Sequence, residues 1–160
     1  MTTAFDFSFS DLQGNPFPLS QFAGKPLVIV NTASMCGFTP QYKGLEQLWR
    51  SRRDKDLMVI GVPCNDFGRQ EPGDACTIKS FTGDKYGVDF PLTDKVHVRG
   101  PDTHPLFRWL AQEGGFLSRP RWNFYKYLIG RDGRLKDWFA SITTPGSGRF
   151  TRAVDDIVGT

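Results

Sequence analysis

The chain has 160 residues, 39% hydrophobic and 14% aromatic, which suits one compact domain over residues 1–160 with a substantial core and calls for no second domain. A formal charge of +3, with Lys and Arg spread along the chain, argues against nucleic-acid binding, and no apolar run approaches the roughly 20 residues of a membrane span. Three irregularly spaced cysteines, Cys36, Cys64 and Cys76, form no disulfide framework; the start lacks a secretory signal, so a cytoplasmic location is expected, and His97, His104 and these thiols do not make a zinc site.

Turn signals at Gly14, Asn15 and Pro16 precede residues 26–31 (Pro-Leu-Val-Ile-Val-Asn), which read as a buried strand of the parallel type. Thr39 and Pro40 then give a helix start, Thr39 as cap, and Tyr42, Leu45, Leu48 and Trp49 continue at helical spacing to about Arg52. Residues 57–62 are a second buried strand, closing a right-handed βαβ unit. After a loop over 63–73 come a weaker helix over 74–86, an extended connection over 90–98, and a short helix capped by Asp102 or Thr103 that carries Leu106, Phe107, Trp109 and Leu110. Residues 122–129 and 135–142 read as strands joined at Gly130-Arg-Asp-Gly133, and residues 148–158 as a last helix. This order predicts a thioredoxin-like α/β fold, a central mixed β-sheet flanked by helices.

Cys36 falls between the first strand and its helix, at the sheet edge that ligands favour. Unpaired N–H groups and the positive dipole end at a helix start favour negative charge, and the thiolate is the nucleophilic form of cysteine. A buried cysteine after a strand also serves plain packing. In Cys36-Gly-Phe-Thr39, Thr39 stands where a dithiol oxidoreductase has its second thiol, so oxidised Cys36 must be relieved by a distant or external thiol, which points to sulfenic acid chemistry.

The segment Val30-Asn-Thr-Ala-Ser-Met-Cys-Gly-Phe-Thr-Pro-Gln-Tyr42 closely resembles the active-site signature of glutathione peroxidases, with cysteine in place of selenocysteine. Residues 63–73 (Pro-Cys-Asn-Asp-Phe-Gly-Arg-Gln-Glu-Pro-Gly) and 122–128 (Trp-Asn-Phe-Tyr-Lys-Tyr-Leu) are similar to that family's second and third signatures. The resemblance implies a peroxidase acting on hydrogen peroxide and organic or lipid hydroperoxides. Cys36 is its peroxidatic thiol, Gln70, Trp122 and Asn123 complete a catalytic tetrad, no cofactor is needed, and thioredoxin or glutathione is the reductant. Amide and indole N–H groups suit this work because they stabilise a thiolate and a developing alkoxide without titrating near neutrality. Without the family, Gln70 reads as a loop residue, Trp122 as a core aromatic and Asn123 as a turn former.

Several positions depart from the pattern. The resolving cysteine of thioredoxin-dependent relatives aligns with Gly83, and Cys76, seven residues earlier, is the substitute ranked above Cys64, which suits packing at a strand end. Asp66 replaces the usual Gln and puts a negative charge near the site, so it is expected to turn toward backbone N–H groups or a basic neighbour such as Arg69. The short stretch over 111–121 predicts a monomer or weak homodimer and an open site. His97 and His104 receive no role. The competing readings are a thioredoxin-like disulfide exchange protein, which Thr39 argues against, a peroxiredoxin, whose motif is absent, and a redox relay or sensor.

Overall fold

The computed structural model describes residues 1–159. A small hairpin of β1 (Ser8–Ser10) and β2 (Pro16–Pro18) precedes β3 (Leu27–Thr32), α1 (Gln41–Arg52), β4 (Met58–Pro63), α2 (Ala75–Tyr86), α3 (Pro105–Gly114), β5 (Lys126–Ile129), β6 (Leu135–Phe139) and α4 (Gly148–Val158). The main sheet runs β4-β3-β5-β6, with β3 parallel to β4 and antiparallel to β5. This is the expected thioredoxin-like arrangement.

Every residue of β3 is buried, because the strand is inside the sheet and covered on both faces. Its alternate side chains divide between two cores. Val28 and Val30 pack with Leu45 of α1 and with Phe150 and Val154 of α4, while Leu27 and Ile29 pack with Leu106 and Phe107 of α3.

Element ends depart from the sequence expectations where a side chain finds a better partner. Thr39 does not cap α1: its hydroxyl is engaged by Ala33 and Cys36, and Pro40 takes the cap position without a side-chain bond. Neither Asp102 nor Thr103 caps α3. Thr103 donates to the Gly100 carbonyl at 2.6 Å, and the His104 Nδ1 accepts from the Leu106 N–H at 3.1 Å, with Pro105 at the first helical position. The same ring stacks on Phe9 and places Nε2 2.9 Å from the Ser8 carbonyl, so His104 joins α3 to β1. Strand β5 starts at Lys126 rather than 122, since Phe124 sits at φ 63°, outside the extended region, and β6 ends at Phe139 rather than 142. The hairpin over 8–18, read in the sequence only as turn signals, is an addition.

Candidate active site

The link from β3 to α1 is a turn whose internal bonds surround Cys36. The Cys36 N–H donates to Thr39 Oγ1 at 2.9 Å, the Thr39 hydroxyl donates to the Ala33 carbonyl at 2.8 Å, and the Thr39 N–H returns to the Cys36 carbonyl at 3.0 Å. The Phe38 N–H points at Cys36 Sγ at 3.4 Å, so a backbone dipole already faces the sulfur. Cys36 is 7% exposed, between the apolar core and the surface.

Two other loops reach the same edge. After β4, Gly68 (φ 67°) and Arg69 (φ 53°) put two consecutive left-handed residues before Gln70, turning the chain back toward the cysteine. The Gln70 carbonyl then accepts from the Met35 N–H at 2.9 Å, one residue before Cys36. On the other side, Asn123 Nδ2 donates to Gln70 Oε1 at 3.0 Å. Trp122 packs against Phe67 with ring centroids 6.1 Å apart and against the core cluster that contains Cys36. A Cβ on Gly68 would lie 3.0 Å from the Trp122 ring, and φ is 67°, so glycine suits both the tight approach and the left-handed backbone there. The structure thus brings Gln70 and Asn123 into direct contact and ties that pair to the cysteine turn through the backbone.

The family model described as Glutathione peroxidase matches residues 4–111, and a Synechocystis protein named hydroperoxy fatty acid reductase gpx1 is 46% identical over 151 residues, 89% of each chain. The chain belongs to the glutathione peroxidase family. The crystal structure of Trgpx in apo form superposes on this family member with a TM-score of 0.81 and 39% identity, covering 99% of this chain and 97% of that one. A thiol:disulfide interchange protein of the thioredoxin family from Chlorobium tepidum shares the fold at TM-score 0.72 and 17% identity, over 99% and 97% of the two chains.

Against this glutathione peroxidase frame, the remaining cysteines lie in unlike places. Cys64 is fully buried, with the Asp66 N–H 3.3 Å from its sulfur, and burial pushes its thiol up to about 12. Cys76 is exposed in the first turn of α2, and all three cysteines are free thiols. Gly83 lies later on α2, and a Cβ there would meet nothing within 4 Å.

Asp66 is engaged by the segment over 97–99. Its carboxylate accepts from the Val98 N–H at 2.7 Å and the Arg99 N–H at 3.3 Å, and contacts His97 Nδ1 at 2.7 Å. The basic partner is His97, not Arg69. Burial alone would raise this carboxyl, but the bonds from His97 and Val98 outweigh it and hold Asp66 below the usual carboxylate range, while His97 is raised in turn by its bond to Asp66. Sequence reasoning missed this role of His97 and the stitching role of Thr39, since both depend on partners that local patterning does not reveal. Among the described residues, no three His, Cys, Asp or Glu side chains group so as to hold a metal ion, and no helix is long and apolar enough to cross a membrane.

Proposed function

We propose that this glutathione peroxidase family member reduces hydrogen peroxide and organic hydroperoxides with Cys36 as peroxidatic thiol and Gln70, Trp122 and Asn123 as its supporting donors. The observation that carries the reading is the convergence of three loops, over 33–40, 66–71 and 121–125, on one sheet edge, with the Asn123–Gln70 bond joining the donors. That bond uses one Asn123 hydrogen and the Gln70 oxygen. The Gln70 Nε2 hydrogens, the second Asn123 hydrogen and the Trp122 indole N–H are then the groups to meet sulfur or a departing oxygen.

The Cys36 thiolate attacks one peroxide oxygen: an S–O bond forms, the O–O bond breaks, and the departing oxygen takes a proton to leave as water or an alcohol. Cys36 is left as sulfenic acid. A second thiol condenses with it, forming a disulfide and releasing water, and reductant thiols then return both sulfurs to the reduced state. Thioredoxin and glutathione are the candidate reductants, and a cytoplasmic monomer or weak homodimer the working form.

Cys76 is the internal candidate for the second thiol. Exposure favours it, and burial disfavours Cys64. Mass spectrometry after one equivalent of peroxide, without added thiol, distinguishes a Cys36–Cys76 bridge from a sulfenate that persists until an external thiol arrives.

For the substrate, the Synechocystis relative is named for hydroperoxy fatty acids. A cleft running from Arg121, beside Trp122, has Val98 and Phe107 as apolar wall and Arg99, Arg108 and Arg119 around it, which suits an organic hydroperoxide with an anionic end. The deciding assay follows peroxide consumption with each reductant in parallel. Cys36→Ser is expected to lower turnover by at least about a thousandfold with the fold retained, in line with loss of a covalent nucleophile. A variant that keeps the wild-type rate overturns the assignment.

A further inference from the structure

We propose that Asn31, the penultimate residue of β3, is a positioning residue that holds the Trp122–Asn123 loop in its working shape. This rests on the peroxidase reading above. The ladder between β3 and β5 ends at the pair Val30 and Lys126, so the segment over 122–125 continues past the sheet without strand partners. Asn31 replaces them, and it is fully buried.

One residue makes three hydrogen bonds to this stretch. Asn31 Nδ2 donates to the Trp122 carbonyl at 2.9 Å, the Asn31 main-chain carbonyl accepts from the Phe124 N–H at 2.7 Å, and Asn31 Oδ1 accepts from the Tyr125 N–H at 2.9 Å. Opposite polarity at the two ends of the amide fixes its orientation. It also explains the residue type: Asp would set a carboxylate oxygen against the Trp122 carbonyl, and a shorter side chain would reach neither peptide.

The loop needs such a clamp because its backbone is strained. Phe124 lies at φ 63°, a conformation bulky residues avoid, and it is fully buried, so it holds only where surrounding contacts over-determine it. Asn31 bonds three consecutive peptides, 122–123, 123–124 and 124–125, the last two flanking Phe124. From the opposite direction, the Ser141 hydroxyl donates to the Asn123 carbonyl, and Lys126 Nζ contacts the Ser141 carbonyl at 3.2 Å. Asn123 is therefore gripped at its main chain, and its side chain extends to Gln70. Releasing the Asn31 side moves the donors of residues 122 and 123 and leaves the bonds of the cysteine turn untouched.

The test compares two reactions of the reduced full-length chain in a Cys76→Ser background: oxidation by peroxide, followed by tryptophan fluorescence and mass, and alkylation of Cys36 by iodoacetamide. Alkylation and peroxide oxidation are both read on the high-pH plateau of each variant's alkylation profile, where Cys36 is fully ionised, so alkylation needs the thiolate but not the donors that meet a departing oxygen. Asn31→Asp is expected to slow peroxide oxidation about tenfold to a hundredfold, the scale of misplacement by about 1 Å, and to change alkylation by less than about threefold. Combined with Asn123→Ala, its effect should be smaller than in the wild type, since only the Trp122 donor is left to misplace. If Asn31→Asp does not fold, Ser141→Ala releases the same loop from its other side and should show the same split. A folded variant that keeps the wild-type peroxide rate, equal falls in both reactions, or multiplicative losses in the double variant each overturn the clamp. A wild-type chain that alkylates normally but ignores peroxide overturns the underlying reading instead, and the clamp with it.

Discussion

Thr39 shows how much one hydroxyl decides at this site. It replaces the second thiol of a dithiol motif, and its bonds to Ala33 and Cys36 close the turn that presents the sulfur. Thr39→Val would keep the volume and leave a buried N–H and a carbonyl without partners. We expect a loss of about 1–3 kcal/mol, read as a lower urea midpoint at unchanged slope. The Asp66–His97 pair gives a pH signature. His97 is raised in the folded chain, so its contribution to stability is full below the ordinary histidine range and is lost as pH rises through the folded value. The melting-temperature advantage of the wild type over His97→Ala should therefore shrink between pH 6 and pH 8.5. An advantage independent of pH would show that the contact carries no charge. The His97 side chain is 61% exposed, so the effect should also fade in high salt.

At the scale of elements, α2 is the helix with least to hold it. Its buried residues are Ile78 and Thr82; Asp74 caps its start and Gly87, at φ 61°, ends it. Gly83 in its interior costs helix stability, and the space around its Cβ is open. Gly83→Ala is expected to stabilise the chain by about 1 kcal/mol in urea unfolding. Gly83→Cys uses the same open position to place a thiol where the family resemblance expects the resolving one, and should speed recycling by thioredoxin. An unchanged rate would mean that α2 does not bring this position to Cys36. The contrast with the rest of the fold explains what local patterning can reveal. Strands β3 and β4 and helices α1 and α4 match their expected ranges within a residue or two, because each buries a regular apolar pattern. The cysteine turn and the three residues proposed as its donors were legible as motifs. The start of β5, the cap of α3 and the clamp on residues 122–125 were not, since they depend on one left-handed Phe and on bonds between residues as much as 94 positions apart.

In the molecule as a whole, the antiparallel pairing of β3 with β5 puts the end of one strand and the start of the other on a common edge. Lys126 lies at that junction with no exposed surface, its Nζ held by the Ala140 and Ser141 carbonyls, and burial drives its ammonium down to about 7. The unfolded chain keeps that proton to about pH 10, so between these limits the unfolded state binds more protons and stability rises with pH. Relative to Lys126→Met, the wild type should gain on the order of 1 kcal/mol per pH unit from pH 7 to pH 9, and no gain below pH 7. Identical differences at pH 7 and pH 9 in parallel denaturation curves would count against a neutral buried amine.

The same pairing sets a schedule for synthesis. Asn31 meets Trp122 only after 91 further residues have been added, which takes a ribosome about 5 to 20 seconds. Until then the cysteine segment exists without the residues proposed to support it, and β3 has no partner along the edge that β5 will occupy. On the proposed reading, a growing chain stopped before β5 carries the thiol but not the assembled site, and reactivity toward peroxide is a property of the finished chain rather than of the segment that holds the cysteine.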